Sequence, residues 1–164
     1  MTTSRLNELV CFAIYSAANS TSQAYRQVLA PWNLTYPQFL VLVVLSDGDR
    51  TVSALGHELG LDSGTVSPLV ARLEARGLVR RERRESDERV VTVALTTEGR
   101  STHRAVADAV GCLGPAFVEA SSDLPELLRQ LHEVTHNMRQ LTTALRGGVT
   151  LADRPRTPSH KRRK

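Results

Sequence analysis

Cys11 and Cys112 are the only two thiols in the 164 residues, and a thiolate is a nucleophile toward peroxides and disulfides. They lie far apart, with no CxxC and no Cys/His cluster, so neither a disulfide framework nor a zinc site is expected. His57, His103, His132 and His136 share no ligand geometry, and no metal or other cofactor is expected. A lone cysteine on an apolar helix is ordinarily a small buried hydrophobe. Residue type alone therefore leaves both thiols open between chemistry and packing. A second constellation suits nucleic acid. Ser63, Thr65 and Ser67 are small hydroxyls near a helix start, Arg72 follows two turns on, and seven arginines fall between Arg72 and Arg89. Such groups reach base edges and phosphates in a major groove.

The elements that must position these residues are legible from pattern. Leu6, Leu9, Val10, Ala13, Ala17 and Val28 keep helical spacing, which predicts one helix from Leu6 to Ala30, broken by Pro31 and Asn33. Thr35 with Gln38 forms a capping-box signature before the apolar run Phe39 to Leu45, and Asp47-Gly48-Asp49 ends that helix. Thr51 to Gly60 reads as a short capped helix. Asp62 and Ser63 open another, with Val66, Leu69, Val70 and Leu73 inward and Ser63, Thr65, Ser67 and Arg72 outward, as far as Gly77. Pro68 removes one backbone bond inside it. Two short helices joined by a tight glycine turn make a helix-turn-helix candidate. Residues 78–83 and 90–95 read as strands of a hairpin whose tip, Arg83-Arg84-Glu85-Ser86-Asp87-Glu88-Arg89, is long enough for an adjacent minor groove. There Asp87 can orient Arg89. Any pair of short helices imitates a helix-turn-helix, and an arginine-rich turn alone is ordinarily a solvated face; order and spacing together favour DNA.

Thr96 to Gly99 begins a further long helix, interrupted at Gly111, Gly114 and Pro115. A last helix runs from about Leu124 to Leu145. Trp32 and Tyr15 read as core or pocket wall. The predicted fold class is mainly α with a small β wing, a winged helix-turn-helix.

Composition narrows the setting. Hydrophobic residues are 41% of the chain, enough for a core, whereas aromatics are only 4%. The formal charge of +4 belongs to the tail: Arg154, Arg156, Lys161, Arg162, Arg163 and Lys164 face one acid, Asp153, and residues 1–152 net −1. The tail either adds phosphate contacts or is a solubilising end. No run is long enough for a membrane span, and Met1 to Glu8 is unlike a secretory signal. No membrane partner and a cytoplasmic location are expected.

Val52-Ser53-Ala54-Leu55-Gly56, Leu69 to Val79 and Ser86-Asp87-Glu88-Arg89 together resemble the MarR family of regulators over roughly residues 6–146. That resemblance implies a homodimer on pseudo-palindromic double-stranded operator DNA. It divides residues 1–146 into dimerisation helices (about 6–34 and 97–146) and a DNA lobe (about 35–96); residues 147–164, basic, Pro-rich and without apolar periodicity, are expected to be a disordered tail. It makes Arg89 the wing arginine. Leu9 to Tyr15, Leu34 to Phe39 and Leu61 to Thr65 further resemble OhrR, the family's organic-hydroperoxide-sensing branch. The positions matching its oxidised cysteine and the two tyrosines bonded to it are Cys11, Tyr25 and Tyr36. Phe12, Tyr15 and Phe39 would line the peroxide pocket.

Cys11 and Tyr25 are fourteen residues apart, about 21 Å along a straight helix, so they cannot meet within one chain. An antiparallel pair of first helices would join them across a dimer. The resemblance separates members using a small external thiol from members that close an intersubunit disulfide. Cys112 is the candidate resolving thiol for the second kind, or else a packing residue. The leading expectation is a non-enzymatic repressor released from DNA when organic hydroperoxide oxidises Cys11. Release by a small phenolic or apolar ligand is the alternative. A thiol peroxidase ranks below both, because it leaves the wing without a task.

Overall fold

Side-chain oxygens open most of the helices in the computed structural model of the chain, which describes residues 5–84, 87–121 and 123–148, apart from the side chains of residues 7, 83–90 and 120. Helix α1 (Val10–Leu29) is the exception: its N-cap, Leu9, bonds nothing with its side chain and sits in extended backbone. A separate 3-10 turn, Arg5–Glu8, precedes it, so the continuous helix expected from Leu6 starts four residues later. Pro31 has no N–H to continue the ladder, and Asn33 turns the chain with φ 48°, a left-handed conformation that asparagine tolerates. In α2 (Tyr36–Ser46) the capping box is complete: Gln38 N–H donates to Thr35 Oγ1 (3.4 Å) and Thr35 N–H to Gln38 Oε1 (2.9 Å). Thr51 caps α3 (Val52–Leu59), Asp62 caps α4 (Ser63–Ala75) and Thr96 caps α5 (Thr97–Val110).

Between these helices lies an antiparallel sheet of β1 (Arg50–Thr51), β2 (Val79–Arg84) and β3 (Asp87–Leu95), in the order β1-β3-β2. Val79 pairs with Leu95 and Arg81 with Val93, while Arg50 pairs with Val93 from the other side. The hairpin strands run further toward the tip than the expected 78–83 and 90–95. Backbone pairing continues through charged residues because the ladder does not depend on apolar alternation.

The core gathers around α2, whose Phe39, Val41, Leu42 and Leu45 are buried against Leu55, Val66, Val70, Leu73, Leu95 and Val106. Burying each such side chain stabilises by about 2 kcal/mol. By its contacts the chain divides into two units, residues 1–114 and 115–164. The first holds α1 to α5 and the sheet. The second holds α6 (Gly114–Ala120) and α7 (Leu124–Arg146). Along α7, Leu124, Leu127, Leu131, Val134, Met138, Leu141 and Leu145 alternate steps of three and four residues, the 3.5-residue repeat of a helix-pairing seam. None of them is buried. Arg129 bridges Glu126 and Glu133 on this helix.

Candidate nucleic-acid interface and redox site

Helices α3 and α4 meet at Gly60, which closes α3 with φ 66°. The approach is tight: a Cβ on Gly56 would lie 2.8 Å from the Leu61 carbonyl oxygen, and Leu61 N–H donates to Gly56 O at 2.9 Å. Val66, Leu69, Val70 and Leu73 of α4 are buried, leaving Ser63, Thr65, Ser67 and Arg72 exposed on the opposite side, as their spacing predicted. Pro68 is accommodated without breaking the helix. Thr65 is more engaged than its spacing suggests. Its N–H donates to Asp62 Oδ1 (2.9 Å) and its hydroxyl to Oδ2 (3.1 Å), so only its lone pairs remain for DNA.

The Thr65 amide first, and then its hydroxyl, hold the Asp62 carboxyl below the ordinary aspartate value of 3.8. A carboxyl with a depressed folded pKa stabilises the fold above its unfolded value and stops doing so as pH falls through the folded one. Asp62→Asn keeps a capping oxygen but not the charge. The stability difference between wild type and this variant is therefore expected to be constant from neutral pH to about the ordinary aspartate value. It should shrink below that value in thermal unfolding followed by circular dichroism.

The basic run sorts into distinct roles. Arg76 donates to the Trp32 and Asn33 carbonyls, Arg80 pairs with Glu82, and Arg81 pairs with Glu74 (3.2 Å) while donating to Ser67 O (3.1 Å). Among the described residues, Arg72 has no such tie. The side chains of Arg83, Arg84, Asp87 and Arg89 lie outside the described residues. Of the four arginines in the run whose side chains are described, three thus bind the protein itself, which a count of charges along the sequence does not reveal.

The candidate thiol-site residues lie near the two ends of α1. Cys11 stands exposed in its first turn, with Phe12 half-buried and Tyr15 63% exposed. Phe12 and Tyr15 place their ring centroids 6.4 Å apart. Near the other end, Tyr25 meets Tyr36, the first residue of α2, with centroids 4.3 Å apart. Phe39 lies 6.3 Å from Tyr25, and the His103 ring stacks beyond Phe39 at 6.4 Å. Burial, and then the neighbouring Tyr36, raise the Tyr25 phenol above its ordinary value, so it remains a hydrogen-bond donor. The uninterrupted helix keeps Cys11 about 21 Å from Tyr25 in the same chain. Cys112 is exposed and free like Cys11, but it sits in the 3-10 turn Gly111–Leu113 after α5 rather than in a helix. Trp32 is half-buried against the core. Among the described residues no cluster of three metal-ligating side chains occurs, and no single helix is long and apolar enough to cross a membrane.

With this geometry in place, comparisons with known proteins are informative. The family described as transcriptional regulator SarA/Rot matches residues 23–106. The organic hydroperoxide resistance transcriptional regulator of Bacillus subtilis is 33% identical over 137 residues, which cover 83% of this chain and 93% of that one. The chain belongs to the MarR/SarA-type winged helix-turn-helix transcriptional regulators. Another relative, the HTH-type transcriptional regulator TtmR of Methylorubrum extorquens, is 51% identical over 96 residues; the match spans 58% of this chain and 49% of TtmR. AbfR of Staphylococcus epidermidis, solved reduced and bound to DNA, superposes with a TM-score of 0.70 at 32% identity, covering 84% of this chain and 94% of AbfR. The same protein solved with its disulfide formed gives 0.63 at 32% identity, covering 82% and 92%. In MarR/SarA-type terms, α3 and α4 are the helix-turn-helix and the β2–β3 hairpin is the wing.

Proposed function

We propose that this regulator is a homodimeric repressor that holds a pseudo-palindromic operator while Cys11 is reduced and releases it when an organic hydroperoxide oxidises Cys11. The observation that carries this reading is the division of one thiol site between the ends of α1. An exposed cysteine with Phe12 and Tyr15 stands at one end, and a paired Tyr25–Tyr36 with Phe39 behind it lies near the other. Two copies of α1 packed antiparallel complete two such sites. The 3.5-residue seam of α7, none of it buried, supports a second copy as the partner. The dimer layer is then drawn from residues 6–34 and 97–146, the DNA lobe from residues 35–96, and 147–164 is a basic tail. The relative named for organic hydroperoxide resistance, and AbfR in reduced and disulfide forms, support the same reading.

The chemistry follows from these groups. Phenol hydroxyls from the partner donate to the Cys11 sulfur and favour the thiolate. The thiolate attacks the terminal oxygen of ROOH, the O–O bond breaks, and RO⁻ leaves and takes up a proton as ROH. Sulfur is left two electrons more oxidised, as sulfenic acid. Attack by the Cys112 thiol, or by a small external thiol, expels water and forms a disulfide. On DNA, Ser63, Thr65, Ser67 and Arg72 enter a major groove, and Arg83, Arg84 and Arg89, with Asp87 orienting the last, reach the adjacent minor groove. Half-sites one turn apart, about 34–36 Å, tolerate little movement of the lobes.

The test is operator binding before and after cumene hydroperoxide. Wild type is expected to lose binding and regain it with dithiothreitol, and Cys11→Ser to bind throughout. A reducible covalent dimer on non-reducing gels that needs both cysteines assigns Cys112 as the resolving thiol. Equal peroxide sensitivity of Cys11→Ser refutes the redox reading.

A further inference from the structure

Arg76 ends α4 as its C-cap, just before Gly77 (φ 71°) turns the chain into β2. Its guanidinium points back across the fold. Nη1 donates to the Asn33 carbonyl at 2.9 Å and Nη2 to the Trp32 carbonyl at 2.6 Å, 43 and 44 residues away in sequence. These carbonyls belong to the elbow between α1 and α2, where the 3-10 turn and left-handed Asn33 interrupt helical bonding and leave solvent-accessible oxygens that a side chain can bind. One planar fork satisfies two adjacent carbonyls at once, which an ammonium group cannot do with the same geometry. The buried Leu29 and Leu34 anchor the elbow on either side. Three residues past Asn33 stands Tyr36, in ring contact with Tyr25. On the other side, Arg81 ties α4 to β2 through Glu74 and Ser67 O. The elbow that carries the tyrosine pair is thus clamped to the point where the reading helix meets the wing.

We infer that Arg76 is a positioning residue that transmits a change at the Tyr25–Tyr36 pair through the α1–α2 elbow to α4 and the wing. The inference rests on the redox function proposed above. Oxidation of the partner's Cys11 changes what the phenols contact, the elbow shifts, and the bidentate clamp carries the shift to the reader. Coupling of this kind is reciprocal and has a definite size.

The experiment compares full-length wild type, Arg76→Ala and Arg76→Lys. Operator affinity is read in the reduced state and after cumene hydroperoxide, and Cys11 oxidation is quantified by mass spectrometry. All three are expected to oxidise Cys11 equally. Wild type should lose about 100-fold in operator affinity, Arg76→Lys at most about 20-fold, and Arg76→Ala less than about 5-fold. Should Arg76→Ala fail to fold or to bind in the reduced state, Arg76→Lys decides, because it keeps the charge and N–H donors but not the planar fork. A loss equal to that of wild type in the deciding variant overturns the clamp and leaves the redox reading intact. No loss in wild type overturns both.

Discussion

Tyr25→Phe or Tyr36→Phe is expected to slow oxidation of Cys11 by an organic hydroperoxide about 3- to 10-fold, and both together about 10- to 100-fold, with reduced operator binding preserved. The size comes from two opposing effects. A hydrogen bond to a charged acceptor contributes roughly 1.5–3 kcal/mol, which raises the thiolate fraction by about 10- to 150-fold below the thiol pKa. A sulfur stabilised in this way is less nucleophilic, with a Brønsted coefficient of about 0.4–0.5, and that removes roughly half of the gain on a logarithmic scale. Phenylalanine keeps the ring contact of 4.3 Å and the packing on Phe39, so only the donor is lost. Burial, and then Tyr36, raise the Tyr25 phenol above its ordinary value, which suits it to a donor's role. Competition kinetics against a peroxide-reactive dye read the rate, and an unchanged rate in the double variant removes the phenols from the mechanism.

The largest structural effect is expected at Gly99. It is buried in the first turn of α5, and an added Cβ would lie 1.9 Å from the Leu78 carbonyl oxygen, 2.9 Å from its carbon and 3.2 Å from Leu95 Cδ2. That carbonyl cannot retreat cheaply, because Thr96 N–H donates to it (3.1 Å) and the Thr96 hydroxyl holds the preceding carbonyl, Gly77 O, at 2.6 Å. Gly99→Ala must push α5 away from the base of the wing and loosen the Thr96 cap with it. A cost of roughly 3–5 kcal/mol follows, large against a total stability of about 5–15 kcal/mol. The melting temperature should fall by about 10 °C or more. Gly111→Ala is the control: its Cβ meets nothing within 4 Å and its backbone is helical, so it is expected to be neutral or slightly stabilising. Thermal unfolding of both variants in reducing buffer checks the pair.

Much of this lobe was legible before any coordinates. Thr35 with Gln38, Thr51, Asp62 and Thr96 mark helix starts because their side-chain oxygens can accept from the otherwise unpaired N–H groups two or three residues on. The buried side of α4 followed from its spacing, since the 3.6-residue period leaves one stripe for the core. Strand β1 was missed: two residues, Arg50 and Thr51, carry no period and become a strand only because β3 offers a ladder. The arginines were legible as a charge run but not as individuals. Nothing in sequence separates Arg76, folded onto two distant carbonyls, from Arg72, left on the outer face of α4. The ring contact between Tyr25 and Tyr36 also depends on the elbow at Asn33, whose angle is a tertiary property. Family resemblance pointed to both tyrosines, and helix geometry placed Tyr25 beyond reach of its own Cys11.

That last point gives the most direct test of the account. Cys11→Ser homodimers have no thiol at the site, and Tyr25→Phe/Tyr36→Phe homodimers have no phenols. Exchanging subunits between the two should create heterodimers in which the intact Cys11 of one chain faces the intact tyrosines of the other. Cys11 oxidation is then predicted to regain a fast phase at the wild-type rate in the mixed sample, in proportion to the heterodimer formed. A mixture in which Cys11 stays as slow as in the double-phenylalanine parent contradicts a sensor shared between subunits.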